Sequence, residues 1–254
     1  MTKPAGNIKS KFTIYLFIII CLSVAAFIFI KLQDTNKQDL YVKIKLSQGY
    51  WWSATSKPNY WIPSSINVGN YETDTGGAKS AEIIETRYYP FIEYQDENTI
   101  RAETQYNAYV VAKIKATYNK SQGKYYYKRD SLTIASPIAI ETTNTLINGT
   151  IMQISESEIQ NNDKNIKVLL SKPTSNTGTY AVRGEKYFDG TEDVLEIVNS
   201  YFSKGKHYLL LTMKVTDTPE GYFYGDTRIM KTGDAISLYT NKSLIKSYLI
   251  EAIY

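Results

Sequence analysis

The hydrophobic pattern changes period near residue 40, and the change divides the chain. Phe12 to Ile30 is a run of nineteen residues with no charge and no proline, bracketed by Lys11 and Lys31. As a helix rising about 1.5 Å per residue it would reach about 28 Å, close to the thickness of a hydrocarbon core. Beyond the polar stretch Gln33–Asp39 the period becomes two. Val42, Ile44 and Leu46 alternate with Lys43, Lys45 and Ser47, the pattern of a strand with one wet face. The same reading predicts a strand over 81–88, ended by Pro90, and a long one from Thr99 to Tyr118. In the latter Ala112, Ile114, Ala116 and Tyr118 share one face, and Lys113, Lys115 and Thr117 share the other. Turns fall at Thr75-Gly76-Gly77 and Ser121-Gln122-Gly123, the second leading into Tyr125-Tyr126-Tyr127 as a hairpin. Val194, Leu195, Val198, Tyr201 and Phe202 fit helical spacing after Thr191, but their counterpart at 81–88 is β-rich, so a strand is expected there.

The counterpart comes from an internal repeat. Tyr109–Ile154 can be laid on Tyr208–Tyr254 with one deletion in a turn. Tyr109 then meets Tyr208, Lys115 meets Lys214, Thr117 meets Thr216, Gly123 meets Gly221 and Tyr126 meets Tyr224. Further on, Ile138 meets Ile236, Thr142 meets Thr240, and Leu146-Ile147 meets Leu244-Ile245. More weakly, the stretch 42–47 matches 166–171. Chance similarity between two hairpins of like composition is the competing explanation. The expected organisation is a tail over 1–11, a transmembrane helix over 12–30, a spacer over 31–39, and two related β modules over 40–157 and 158–254. The expected fold class is thus all-β behind one transmembrane helix, with the modules barrel- or sandwich-like.

The short tail carries Lys3, Lys9 and Lys11 and no acid, which places it in the cytoplasm by the positive-inside rule, with the long C-terminal part outside. A cleaved signal peptide, cut near Ser23-Val24-Ala25-Ala26, is the alternative, although Phe27-Ile28-Phe29-Ile30 carries the apolar run beyond that point. The chain holds 29 Lys and Arg against 25 Asp and Glu, and three of those lysines belong to the tail. The remainder is nearly neutral, so its charge gives no support for nucleic-acid binding. The one cysteine, Cys21, lies in the apolar run, so no disulfide is available to the β part.

Catalytic chemistry is hard to assemble from these residues. His207 is the one histidine, and its place before a strand predicts a surface position at a strand edge. Neither a Ser-His-Asp nor a Cys-His arrangement has the parts it needs beside it, and the Ser-Met and later motifs of a serine–lysine signal peptidase are missing. One histidine and no cysteine in the β part exclude the usual zinc sets. Asp189-Gly190-Thr191-Glu192-Asp193 gathers oxygen ligands without the spacing of a calcium loop, and reads as a solvated acidic turn. Glu156, Glu158 and Asp163 read as a solvated acidic linker. No catalytic residue, cofactor or metal site is expected. The triplets at Asn119, Asn148 and Asn241 fit a glycosylation acceptor pattern that arises by chance in a chain of this composition.

The best binding candidates are the aromatic residues Tyr50, Trp51, Trp52, Tyr60 and Trp61, which hold all three tryptophans, between strands and near Pro58 and Pro63. Flat apolar faces with polar edges suit protein interfaces, sugar rings and lipid headgroups. They also suit a plug over the open end of a β module.

The anchor, the spacer, Val42–Leu46, Val68-Gly69 and Ala81–Tyr88, followed by Ile138–Ile140 and Gly149–Ile154, together resemble an uncharacterised group of single-pass bacterial proteins classed as a domain of unknown function. The likeness covers mainly residues 1–155. It implies an envelope location and no particular activity. The layout is also similar to lipid-transfer and efflux adaptor proteins, whose coiled-coil hairpins or long helices find no counterpart here. The expected function is a non-enzymatic structural or assembly component of an extracytoplasmic envelope complex, with the bilayer and an envelope protein as partners and no nucleic acid. The alternative is a glycan- or lipid-binding module using residues 50–61.

Overall fold

The chain is all-β, built as two similar sheets. The structure is a computed structural model that describes residues 15–25, 37–47, 57–94, 100–174, 180–225 and 228–254. Its first sheet uses β1 (Lys37–Leu46), β2 (Tyr71–Thr73), β3 (Lys79–Tyr94), β4 (Ile100–Asn119), β5 (Lys124–Tyr127), β6 (Asp130–Ser131), β7 (Pro137–Glu141) and β8 (Leu146–Ser155). The second uses β9 (Asp163–Pro173), β10 (Lys186–Phe188), β11 (Asp193–Ser203), β12 (Lys206–Thr218), β13 (Gly221–Tyr224), β14 (Arg228–Met230), β15 (Ala235–Tyr239) and β16 (Leu244–Ile253). Strand order is β2-β3-β4-β1-β8-β7 in one and β10-β11-β12-β9-β16-β15 in the other. In each, a side hairpin leaves the fourth strand, β5-β6 from β4 and β13-β14 from β12. Adding eight to each strand of the first sheet gives the second.

Irregularities repeat along with strand order. β3 shifts register between Ile83 and Glu85, and β11 does so between Ile197 and Asn199. Ahead of each bulge a left-handed glycine, Gly69 or Gly184, donates to the isoleucine carbonyl at 2.8 Å. One residue later Asn70 or Glu185 turns its side chain back, and each accepts from a backbone N–H three residues upstream at 2.9 Å. Thr142 and Thr240 both close their turns by bonding the backbone three residues ahead.

Register tests the repeat alignment residue by residue. Ala81 faces Ile114 and Leu195 faces Met213, so Tyr109 matches Tyr208, Lys115 matches Lys214 and Thr117 matches Thr216, as expected from sequence. Two expectations need correction. Thr117 faces Tyr126 while Thr216 faces Phe223, so Phe223, not Tyr224, is the counterpart of Tyr126. The turn between these strands differs in length by one residue more than the alignment allowed. The bulge in β8 at Met152 and in β16 at Glu251 equates Ile44 with Leu170, not with Val168. A two-residue slip preserves a period of two, so hydrophobic alternation could not detect it. Pro90 does not end β3, which continues to Tyr94 across a register shift between Pro90 and Ile92. A bulge is one of the few places where a strand tolerates a residue with no N–H. The expected strand over Val194–Phe202 is β11.

By contacts the chain divides into residues 1–39 with 115–132, and residues 40–114 with 133–254. In the smaller unit, Thr117–Asn119 pairs with Lys124–Tyr126, and the Tyr118 and Tyr125 rings lie 4.9 Å apart. Asn119 Oδ1 accepts from the backbone of Ser121 and Gln122 to shape the turn. Lys115 meets Asp39 at 2.6 Å. The larger unit holds the alternating apolar faces: Val42 and Ile44 on β1, Val110, Ala112 and Ile114 on β4, Val168 and Leu170 on β9, and Leu209, Leu211 and Met213 on β12 are all buried. Tyr89 of β3 joins the hydrophobic cluster that is otherwise made of residues of the second sheet and Ala181 before β10.

Within the apolar run, residues 15–25 are helical and their large apolar side chains are exposed. Among the described residues no helix is long and apolar enough to cross a membrane. The remainder of the expected span, 12–14 and 26–30, lies outside them.

Candidate functional site

Of the expected binding residues, Tyr50, Trp51 and Trp52 lie outside the described residues. Tyr60 and Trp61 open a one-turn helix, Trp61–Ser64. Pro63 sits inside this turn, where the missing N–H costs nothing because first-turn donors have no helical partner. The turn is tied at its base by the Tyr106 N–H donating to the Pro58 carbonyl at 2.8 Å and by a bridge between Asn59 and Gln105. Trp61 is 68% exposed and Tyr60 is 51% exposed. The Tyr60 ring lies 6.0 Å from Tyr88 and 5.4 Å from Tyr106, and those two are 5.9 Å apart. Burial and the neighbouring Tyr60 hydroxyl push the Tyr88 phenol up to about 12. An exposed indole thus stands on a fixed turn backed by three tyrosines.

Around Tyr89, residues distant in sequence enclose a cleft of about 310 Å³. Its walls include Lys45, Lys57, Phe91, Tyr224 and Tyr239, with Asn107 and Ser237 as polar edges, and no carboxylate among the described residues lines it. Lys57 Nζ stands 3.2 Å over the Phe91 ring. The Tyr89 and Tyr224 rings meet edge to face at 5.3 Å. Gly225 makes that approach available. Its φ is +67°, and a Cβ there would fall 2.7 Å from Tyr89 Cγ. The sequence pointed to none of these residues, because they come from strands far apart along the chain and share only a high tyrosine content.

Beside the cleft, Asp189 of the acidic turn proves not to be solvated, while Asp193 stays exposed. Asp189 is 0% exposed. Its Oδ1 accepts from the Thr191 and Glu192 N–H groups, and its Oδ2 accepts from the Tyr89 hydroxyl at 3.1 Å. Its backbone carbonyl accepts from the Tyr88 N–H at 2.7 Å, and the Thr191 hydroxyl donates to the Thr86 carbonyl at 2.7 Å. The turn is therefore a clasp on β3. Asp163, expected in a solvated linker, lies 3.0 Å from Arg87 Nη1 and 3.7 Å from Lys214. Arg87 also pairs with Glu85, with Asp189 at 3.8 Å and with Glu192 at 3.6 Å. Burial works against its charge, but Glu85, Tyr89, Asp163 and Asp189 more than offset this and hold its pKa above the ordinary value. The space left there is about 10 Å³, room for no more than a water. An ion network filling its own space reads as a fastening. Among the described residues no group of three or more His, Cys, Asp or Glu is placed to hold a metal ion.

His207 is the largest departure from expectation: it is 0% exposed, not at the surface. Its Nε2 lies 2.9 Å from Ser200 Oγ and its Nδ1 lies 2.6 Å from the Tyr248 hydroxyl, with Tyr180 and Phe202 rings packed at 4.7 and 4.6 Å. Ser200 Oγ also donates to the Ala181 carbonyl at 3.0 Å. One proton assignment satisfies every contact: Tyr248 donates to Nδ1, Nε2–H donates to Ser200, and Ser200 donates to Ala181. In that chain the serine proton points away from the imidazole. Its Oγ is not primed as a nucleophile, and the group reads as a satisfied core network. Burial lowers the His207 pKa, and burial with the nearby Tyr180 raises that of Tyr248 to about 12.

Compared with family models, curated proteins and solved structures, the chain finds no match.

Proposed function

We propose that this protein is a membrane-anchored, non-enzymatic component of an extracytoplasmic envelope complex, and that it works by contact through the aromatic segment around Trp61. The apolar run 12–30 serves as the anchor, with the tail 1–11 in the cytoplasm and the β part outside. The helical conformation of 15–25 with uncovered apolar side chains supports lipid as their surroundings, since water disfavours such a face. The common strand order supports reading the two sheets as related modules.

The observation that carries the contact reading is the exposure of Trp61 beside Tyr60 on a turn braced by Tyr88 and Tyr106. A pre-ordered aromatic loses little entropy when a partner covers it, and such residues often dominate interface energies. The test is recovery of partners with the full chain from its own membrane, wild type against Trp61→Ala. Weakening of a specific partner by about 1–3 kcal/mol with an unchanged melting midpoint is expected. Identical recovery by both proteins contradicts the reading. A second reading, a ligand-binding module, is favoured by the cleft around Tyr89.

A further inference from the structure

We propose that the outer face of the second sheet, around Leu210, docks a second copy of this chain through that copy's β5–β6 hairpin. The contact is separate from the one assigned to Trp61.

The repeat shows how the frame uses this face. In the first sheet Tyr109 and Val111 point outward from β4, yet they are 3% and 4% exposed. With Arg87 they border the space of about 10 Å³ whose other wall includes Thr216, Phe223 and Gly225, where the second sheet's hairpin leaves β12. The outer face of one module is thus buried by the hairpin end of the other. At the counterparts of Tyr109 and Val111 the second sheet places Tyr208 and Leu210, and both are only half-buried. Leu210 pairs across with Leu169, the Tyr201 and Tyr208 rings stack at 5.2 Å, and Tyr201 and Leu249 are exposed. Apolar side chains gathered on one sheet face mark a surface that a partner covers.

The same frame names the partner. The counterparts of Thr216, Phe223 and Gly225 are Thr117, Tyr126 and Lys128, in and beside the β5–β6 hairpin. Gly225 and Lys128 share a positive φ, so both hairpins turn alike at that point. The first sheet's face is already taken by β13–β14, which leaves the second sheet's face for β5–β6 of another copy.

Face and hairpin end also change in matched pairs. Arg87 on the covered face holds Asp163, the first residue of β9, at 3.0 Å. Tyr201 stands in the place of Arg87, and Lys37, the first residue of β1, in the place of Asp163. An arginine would repel that lysine in an incoming copy, whereas a tyrosine ring accepts a cation. Tyr89 approaches Gly225 so closely that a Cβ there would fall 2.7 Å from the ring. Their counterparts are Ser203 and Lys128, a short side chain on the face opposite a long one on the hairpin. β11 ends at Ser203, so no side chain reaches into the partner as Tyr89 does within the chain, and the contact is one that can part again. Because face and hairpin are different surfaces, the contact is heterologous.

The experiment is sedimentation equilibrium of the full chain in detergent. The wild type should associate. Leu210→Glu breaks the face and Tyr126→Glu breaks the hairpin, and either alone should raise the concentration needed for association at least about tenfold. Mixed in equal amounts, the two variants should form a dimer and nothing larger, since one intact hairpin then meets one intact face. Pairing of two like faces would leave Tyr126→Glu associating as the wild type does, and would overturn the proposal. So would a monomeric wild type, or a mixture that stays monomeric while both variants melt as the wild type does. A second measurement needs no variant. When light and isotopically heavy wild-type chains are mixed, amine cross-links between copies should join Lys128 to Lys206, whose counterparts Gly225 and Asn107 border one cleft. Links between copies that all avoid the hairpin would contradict the docking. None of these results bears on partner recovery by Trp61→Ala, so the two readings fail separately.

Discussion

Where the first sheet places Thr86, Ala108 and Gly149, the second places Ser200, His207 and Tyr248. The equivalence follows from register: Thr86 faces Val110 as Ser200 faces Leu209, Tyr88 faces Ala108 as Phe202 faces His207, and Ile138 faces Gly149 as Ile236 faces Tyr248. The first corner is stripped of side chain. A Cβ on Gly149 would fall 2.3 Å from the Lys45 carbonyl and 2.5 Å from Ile44 Cγ2, so that strand contact admits only glycine. The Thr86 hydroxyl is buried and has no hydrogen-bond partner among the described residues, while its backbone carbonyl receives the Thr191 hydroxyl. The second corner is filled by a closed hydrogen-bond chain. The neighbouring ends differ as well. β11 and β12 join through Lys204 and Gly205, both at positive φ as a two-residue hairpin turn demands, whereas β3 runs on to Tyr94 and carries Tyr89 into the other core. Two copies of one frame keep their alternation and bulges. They differ where one must receive a clasp and the other must close on itself.

The comparison breaks most severely at Tyr89. Tyr89→Ala should cost about 3–5 kcal/mol in urea unfolding, by emptying a buried ring site and stranding Asp189, whereas Tyr89→Phe should lose only the hydroxyl's share. Equal costs would mean that the ring does not matter. Gly149→Ala comes next, at about 1–3 kcal/mol from overpacking against β1. A neutral result there would show that the first corner is not closed by backbone contact. Tyr248→Phe, which leaves His207 Nδ1 buried without its donor, should cost about 1–2 kcal/mol. Trp61→Ala stands at the small end, within about 0.5 kcal/mol, as a substitution of an exposed side chain should.

Much of the frame was legible in the sequence, for reasons particular residues make plain. Val42, Ile44 and Leu46 announce a half-wet strand because their neighbours are polar. Tyr109, Lys115 and Thr117 match their counterparts because nothing is inserted between them in either copy. The slip of two at Ile44 and of one at Tyr126 mark the limits of that reading: period two is blind to the first, and turn length to the second. The burial of His207 was not legible, since its partners Ser200 and Tyr248 are 7 and 41 residues away and meet it only through strand pairing. The clasp at Asp189 was hidden likewise, its partner Tyr89 being 100 residues distant. Trp61 was named from the sequence as an aromatic of the segment, but its exposed place on a turn tied by Pro58 and Tyr106 was not legible there. The cleft has no local signature at all.

Acid should act on the second corner. Burial lowers the His207 pKa in the fold, so the unfolded chain binds more protons below its ordinary value of 6.5. Its contribution to stability is complete above that pH and declines as pH falls through it. Burial favours protonation of Glu185, but hydrogen bonds from Thr240, the Val182 N–H and Ser243 prevail and hold its pKa below 4.5, which adds a further loss in stronger acid. The most direct measurement follows from His207 being the one histidine of the chain. Its ring nitrogens, followed by NMR against pH, give a single unambiguous titration. A closed, neutral corner predicts a ring that stays neutral, with the proton on Nε2, through the ordinary imidazole range until the second sheet unfolds. Titration of the folded protein at or above 6.5 would contradict the account.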